Sequence, residues 1–316
     1  MSEQPNDYQQ TFKWAYLMPN YWSTWLGLWM LWLLSYVPLK QRRSLCRFLA
    51  KKTYKKNAKR RNIIETNLSM VFPHLSEQQR NDMAMDFVVN ALFIFMDYPL
   101  LLWASNKTVN KRIKFKGAEH IQHHYKNNQP VILLTCHMLA LEYGALALNK
   151  HFKAVGLIKP ARNALFEWLI TRGRKRYQGM AELYLREKGI RPVIRAIKNL
   201  NAFYYLPDED LGDKAETQFV PFYGVETATL TALAPMAKMT KAAVLPAVTI
   251  LDEETGVYTL EVSPALELFS GEDELEGMKR MNKVLEQLID RAPTQYMWSL
   301  RLFQTRPNGE ASPYKF

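Results

Sequence analysis

The stretch Pro130-Val-Ile-Leu-Leu-Thr-Cys-His137-Met-Leu-Ala-Leu-Glu142 decides the fold. Its first half is an unbroken apolar run, the pattern of a strand buried on both faces. Its second half begins a helix, so the stretch reads as the first half of a βαβ unit. The alternation continues on both sides. Ile113–Lys116 and Ala154–Ile158 read as strands, with helices near Leu139–Leu148 and Leu165–Arg176. A helix at Arg191–Lys198, a strand at Ala202–Leu206, a helix at Thr229–Met239 and a strand at Ala243–Ile250 follow. Asp252-Glu-Glu-Thr-Gly256 turns into Val257–Val262 as a hairpin, and an amphipathic helix over Asp273–Arg291 comes last. Arg61–Leu102 reads as two helices broken at Phe72-Pro73, the second opened by the capping box Ser76-Glu-Gln-Gln79. The expected fold class is α/β: one domain with a mixed, mostly parallel sheet flanked by helices.

The chain has 316 residues, 48% hydrophobic and 23% charged, a composition that excludes disorder and collagen-like repeats. Its net charge of +12 is local. Eleven basic residues and no acidic one lie between Lys40 and Arg61, leaving about +1 for the rest. Immediately upstream, Tyr21–Val37 carries no charge and holds four of the eight tryptophans. Trp22, Trp25, Trp29 and Trp32 fall on one stripe of a helix. Seventeen residues at about 1.5 Å give ~25 Å, short of a ~30 Å hydrocarbon core. The segment fits a short or tilted membrane anchor, or a helix lying in the interface with its tryptophans at headgroup depth. The plain alternative is an aromatic core helix. Flanking cations favour the membrane, on its cytoplasmic side. A cleaved signal peptide does not fit, because Glu3 and Asp7 precede the apolar run and no small-residue cleavage site follows. The expected organisation is an N-terminal membrane-anchoring helix in 1–39 and a catalytic domain in 40–316, with a basic membrane-facing collar over 40–61. Nucleic acid is a poor partner, since only Phe48 and Tyr54 interleave the cations.

A buried strand delivers His137 to its C-terminal edge, where open α/β sheets place ligands. Glu142 lies one turn into the next helix, where its carboxylate could accept the imidazole N–H and stabilise an imidazolium. With no nucleophile paired to it, His137 suits a general base acting on a substrate hydroxyl. Cys136 points to the opposite face of the strand, which disfavours a Cys–His pair. Cys46 and Cys136 have no metal or redox spacing, and His120, His123 and His124 lack a completing ligand, so no metal is expected. Arg172, Arg174 and Arg176 form a cationic helix end suited to a phosphate or an oxyanion. Tyr204-Tyr-Leu-Pro-Asp208-Glu-Asp210 places carboxylates after a strand, either as a substrate clamp or as a plain acidic turn.

Together these segments resemble the late lauroyl/myristoyl acyltransferases of lipid A biosynthesis in Gram-negative bacteria. The likeness runs through Tyr21-Trp22, Arg60-Arg61-Asn62, Asn67-Leu-Ser69 with Phe72-Pro73, and His137 with Glu142. It continues through Arg174-Lys-Arg176, Tyr204–Asp210 with Gly212, Phe219-Val-Pro-Phe222, Gln295-Tyr-Met-Trp298 and Thr305-Arg306. Tyr204-Tyr-Leu-Pro-Asp208 and Pro313-Tyr-Lys315 make it more similar to the myristoyl-type branch. The resemblance implies a glycerolipid-acyltransferase-like domain at the cytoplasmic face of the inner membrane. It implies no cofactor, acyl carrier protein as donor and a lipid A precursor as acceptor. His137 would be the base and Glu142 its orienter, with Arg174, Arg176, Asn163, Asp208 and Asp210 as substrate contacts. The family usually has Pro after that Asn, where this chain has Ala164. The rivals are a lysophospholipid acyltransferase and a non-catalytic membrane-bound protein that binds lipid or carrier protein.

Overall fold

A computed structural model describes residues 7–212, 215–267 and 274–315. Glu3 and Asp273 lie outside the described residues. Four helices come first: α1 (Trp22–Leu34), α2 (Leu39–Lys56), α3 (Ala58–Val71) and α4 (Glu77–Met96). Short helices α5 (Tyr98–Leu102) and α6 (Asn106–Arg112) lead into β1 (Ile113–Lys116), α7 (Ala118–Lys126) and β2 (Val131–Leu134). Next are α8 (Leu141–Asn149), β3 (Ala154–Ile158), α9 (Ala164–Arg174), β4 (Ala181–Leu185), α10 (Arg191–Lys198) and β5 (Ala202–Tyr205). Then follow β6 (Thr217–Phe222), β7 (Val225–Leu230), α11 (Leu233–Thr240), β8 (Ala243–Leu251), β9 (Tyr258–Val262) and α12 (Glu274–Asp290).

Seven strands form one sheet in the order β1-β9-β8-β2-β5-β3-β4, and only the β8–β9 pairing is antiparallel. The α/β class and the mostly parallel sheet are as the sequence implies. β2 sits at the centre, and its residues feed two cores. Ile132 and Leu134 pack with α3, α10 and α12 on one face, while Val131 and Leu133 pack with α4 and α8 on the other. Gly144 presses α8 onto the sheet. A Cβ there would stand 1.9 Å from Thr249 Oγ1 and 2.8 Å from the Tyr204 hydroxyl, so only glycine allows the contact. That packing fixes where the first turn of α8 points.

Two expectations change here. The helix expected from Thr229 begins later, at Leu233 as α11; Thr227 and Thr229 lie in β7, which pairs with β6 as an antiparallel hairpin. The hairpin closes through Tyr223 and Gly224, both at positive φ (51° and 76°), as its tightest turns require. β4, whose apolar run is broken by Glu182, carries a weak strand signal and was not expected from the sequence; it forms the sheet edge beside β3.

The N-terminal helix is α1, and it is shorter than the apolar stretch. Its 13 residues span ~20 Å. Leu28 packs on Leu165 and Leu169 of α9, and Trp25 donates its indole N–H to the Tyr16 carbonyl at 2.8 Å. The opposite side, with Trp22, Leu26, Trp29, Met30 and Leu33, is exposed. Trp25 is therefore turned towards the body, and the exposed stripe is part tryptophan and part aliphatic. Among the described residues one helical run is long and apolar enough to cross a membrane, Glu77–Leu102, and it is mostly buried against the sheet. The basic block also divides. Arg42 pairs with Asp97 and Arg43 with Glu253 and Asn90, both guanidinium groups buried. Lys40, Arg47, Lys51, Lys52, Lys55, Lys56, Lys59 and Arg60 remain exposed.

Candidate active site

β2 and β5 run parallel, with Leu134 opposite Tyr205. His137 and Asp208 each lie three residues beyond that last registered pair, so the two strands deliver them to the same spot. Asp208 holds His137 twice: the imidazole Nδ1–H donates to Oδ1 at 2.8 Å, and the His137 backbone N–H donates to Oδ2 at 2.7 Å. The carboxylate is almost wholly buried and the imidazole largely so. Burial opposes the imidazolium, but the Asp208 charge and hydrogen bond outweigh it and raise the His137 pKa. Burial likewise penalises the Asp208 carboxylate, and the His137 charge with both hydrogen bonds still holds its pKa below the ordinary value. With Nδ1 committed to Asp208, Nε2 is the ring nitrogen left for chemistry. His137 lines a cavity of about 330 Å³ that it shares with Glu142, Arg174, Arg186 and Glu209.

Glu142 does not meet His137. The first turn of α8 aims its carboxylate at the last turn of α9, where the Arg174 Nε–H donates to Oε2 at 3.0 Å and Nη2 pairs with Oε1. The expected His137–Glu142 hydrogen bond is thus replaced by two pairs, His137–Asp208 and Glu142–Arg174, side by side on one cavity. Burial disfavours the Arg174 cation, yet Glu142 overcompensates and raises its pKa further. The Arg174 Nη1 makes no hydrogen bond among the described residues.

The remaining expected contacts are committed elsewhere. Arg176 pairs with the Ala104 carbonyl and with Asn106 Oδ1 at 3.0 Å. Asn163 caps α9, accepting from the Phe166 N–H at 3.0 Å, and donates to Thr24 Oγ1 of α1 at 2.8 Å. Asp210 accepts from the Thr305 N–H at 2.6 Å and hydroxyl at 2.9 Å. None of these three lines the His137 cavity. Cys136 is fully buried and its thiol pKa is pushed well up by that burial, which disarms it as a nucleophile.

One supporting residue had no role in the sequence reading, although its motif was in view. Gln295 is buried and straps the turn after His137. Its carbonyl accepts from the Leu139 N–H at 2.8 Å, and the Met297 N–H donates to the His137 carbonyl at 2.9 Å. The Gln295 amide in turn brackets the end of β8, donating to the Leu251 carbonyl at 2.8 Å and accepting the Leu251 N–H at 2.9 Å. The imidazole therefore rests on a backbone braced from three directions.

A histidine oriented by a buried carboxylate, lining one cavity with an arginine, is equipment for acid–base group transfer. The chain belongs to the bacterial lipid A biosynthesis acyltransferase family, whose model matches residues 9–305. It is an acyltransferase of lipid A biosynthesis. A lipid A biosynthesis acyltransferase of Haemophilus influenzae is 35% identical over 304 residues, covering 96% of this chain and 94% of that one. The lipid A biosynthesis lauroyltransferase of Escherichia coli is 32% identical, covering 96% and 98%, and its myristoyltransferase 29% identical, covering 98% and 95%. The expected leaning to the myristoyl branch is not distinguished by these values.

Proposed function

We propose that the protein catalyses secondary acylation of a lipid A precursor, moving a fatty acyl chain from an acyl carrier protein thioester to a hydroxyl on an acyl chain of the acceptor. The observation that carries this reading is the His137–Asp208 pair, which leaves Nε2 unpaired on a residue that lines the cavity. Nε2 takes the hydroxyl proton as the oxygen attacks the thioester carbonyl, and Asp208 stabilises the imidazolium that forms. The tetrahedral intermediate collapses with loss of the thiolate, which recovers the proton from Nε2. Arg174, gripped by Glu142 on two of its nitrogens, offers Nη1 to the oxyanion. Glu142 acts in this scheme through Arg174. The assay uses purified protein, acyl carrier protein thioester and either phosphorylated lipid A precursor or lysophospholipid, with products weighed by mass spectrometry. One acyl mass added to the lipid A precursor is the expected result. Transfer to lysophospholipid alone would shift the reading to a glycerolipid enzyme, and no transfer to either would leave a silent binder.

The same reading places the protein at the cytoplasmic face of the inner membrane, with α1 lying in the interface. A ~20 Å helix cannot cross ~30 Å of hydrocarbon unaided, but its exposed stripe suits headgroup depth, with the exposed cations of α2 facing anionic lipid. Replacing Trp22, Leu26, Trp29 and Met30 together by Ser removes that stripe while sparing Leu28 and its seat on α9. Flotation with anionic vesicles should fall roughly tenfold or more, since each buried apolar side chain contributes about 1.5–3 kcal/mol. Unchanged flotation would remove α1 from membrane binding.

A further inference from the structure

On the helical side of the turn after His137, α4 leaves one stripe partly bare. Val88, Ala91, Leu92 and Phe95 recur at helical spacing, and with Tyr98 and Leu139 they line a groove of about 450 Å³ against the ends of α2 and α3. Phe95 is 46% exposed. Val88 to Tyr98 covers ~15 Å along the helix, about the reach of a medium-length acyl chain. Leu139 in its lining belongs to the turn that carries His137. Arg60 and Arg61, from the first turn of α3, line it as well. Arg60 is exposed, and its guanidinium has no hydrogen bond or ion pair among the described residues. Arg61 is held loosely, 3.8 Å from Glu65 and 3.4 Å from the Lys55 carbonyl. An apolar trough bordered by weakly satisfied arginines complements an amphiphile with one chain in the trough and an anionic head at the cations. A protein partner drawn by charge alone would have no use for the trough.

We propose that this groove seats an acyl chain of the phosphorylated lipid acceptor, with a phosphate at Arg60 and Arg61, while the donor thioester enters through the cavity that Glu142 and Arg174 line. This rests on the acyl-transfer reading and adds the face from which each substrate reaches His137. Two variants of the full chain test it, Ala91→Trp, which fills the groove, and Arg60→Glu, which alters an exposed side chain with no partner among the described residues. The readouts are KM for each substrate, and retention of the phosphorylated lipid A precursor by donor-free protein in native mass spectrometry. Both variants should raise KM for the acceptor roughly tenfold or more, with donor KM within about twofold. The Arg60→Glu effect should vanish on a dephosphorylated acceptor. A rise in donor KM instead would assign the groove to the donor chain or its carrier protein, and unchanged values for both substrates would show it idle; either overturns the proposal. If the unaltered protein transfers nothing, the acyl-transfer reading fails on its own. Retention of the precursor by that protein, and its loss in Ala91→Trp, would still judge the groove.

Discussion

His137→Ala should lower kcat/KM for acyl transfer by at least ~10²-fold, within the ~10²–10⁴ that a positioned general base contributes. The variant removes the side-chain partner of the buried Asp208 carboxylate, so its melting temperature is recorded beside its rate to separate lost chemistry from lost fold. The companion variant Asp208→Asn separates the base from its orienter. As a base, His137 must be neutral, so the rate of the unaltered enzyme rises with pH through an imidazole pKa that Asp208 has raised. Without the Asp208 charge, burial, the largest influence, lowers that pKa, with Glu209 and Arg186 acting in opposite senses. The acidic limb of the kcat/KM profile should therefore move to lower pH in Asp208→Asn while the plateau drops by about 10²-fold. A profile that does not move would disconnect Asp208 from the titration of His137. Near-normal turnover in His137→Ala would end the general-base mechanism.

Glu142→Ala should be nearly as damaging, for a different reason. Removing the carboxylate strands the Arg174 guanidinium, whose side chain is only 21% exposed. The expected cost is about 2 kcal/mol of stability, below the ~3–5 kcal/mol of a fully buried broken pair, with a loss of ~10²-fold in rate as Nη1 loses its aim. The double variant Glu142→Ala/Arg174→Ala should regain most of the melting temperature and none of the activity. The acidic limb set by His137 should stay in place in Glu142→Ala, because Asp208 and not Glu142 contacts the imidazole. A shift in that limb would restore Glu142 as the direct orienter of His137.

The same contrast shows what was legible in the sequence. Val131–Leu134 was readable as a central strand because a run that feeds two cores must be apolar at every position. Ser76 and Gln79 form the capping box their spacing announces. His137 was legible because a polar residue ending such a strand lands at the sheet edge. Its partner was not. Local reasoning offers Glu142, one turn downstream, but Asp208 arrives from 71 residues away on a strand whose adjacency to β2 is a tertiary fact. Asp208 stood among the candidate contacts, and only the register Leu134–Tyr205 turns it into the histidine's partner. Arg176, Asn163 and Asp210 show the opposite limit. Their chemistry suits a ligand, yet helix capping and loop anchoring claim the same groups. The β6–β7 hairpin is hard to see in the sequence because Pro221 and Glu226 interrupt the apolar alternation of its strands, and a tyrosine at positive φ is a weak turn marker.

The Gln295 strap also sets an order of events during biosynthesis. Asn67 donates to the Trp298 and Leu300 carbonyls across 231 and 233 positions, and it accepts from the Tyr314 hydroxyl across 247. A chain emerging from the ribosome N-terminus first thus presents its tryptophan helix and its cations long before the backbone under His137 has anything to lean on. The turn after His137 is braced only when Gln295 and Met297 arrive. A nascent molecule, or one clipped before Gln295, therefore has α1 and the exposed cations of α2 already made while the turn after His137 is still unbraced.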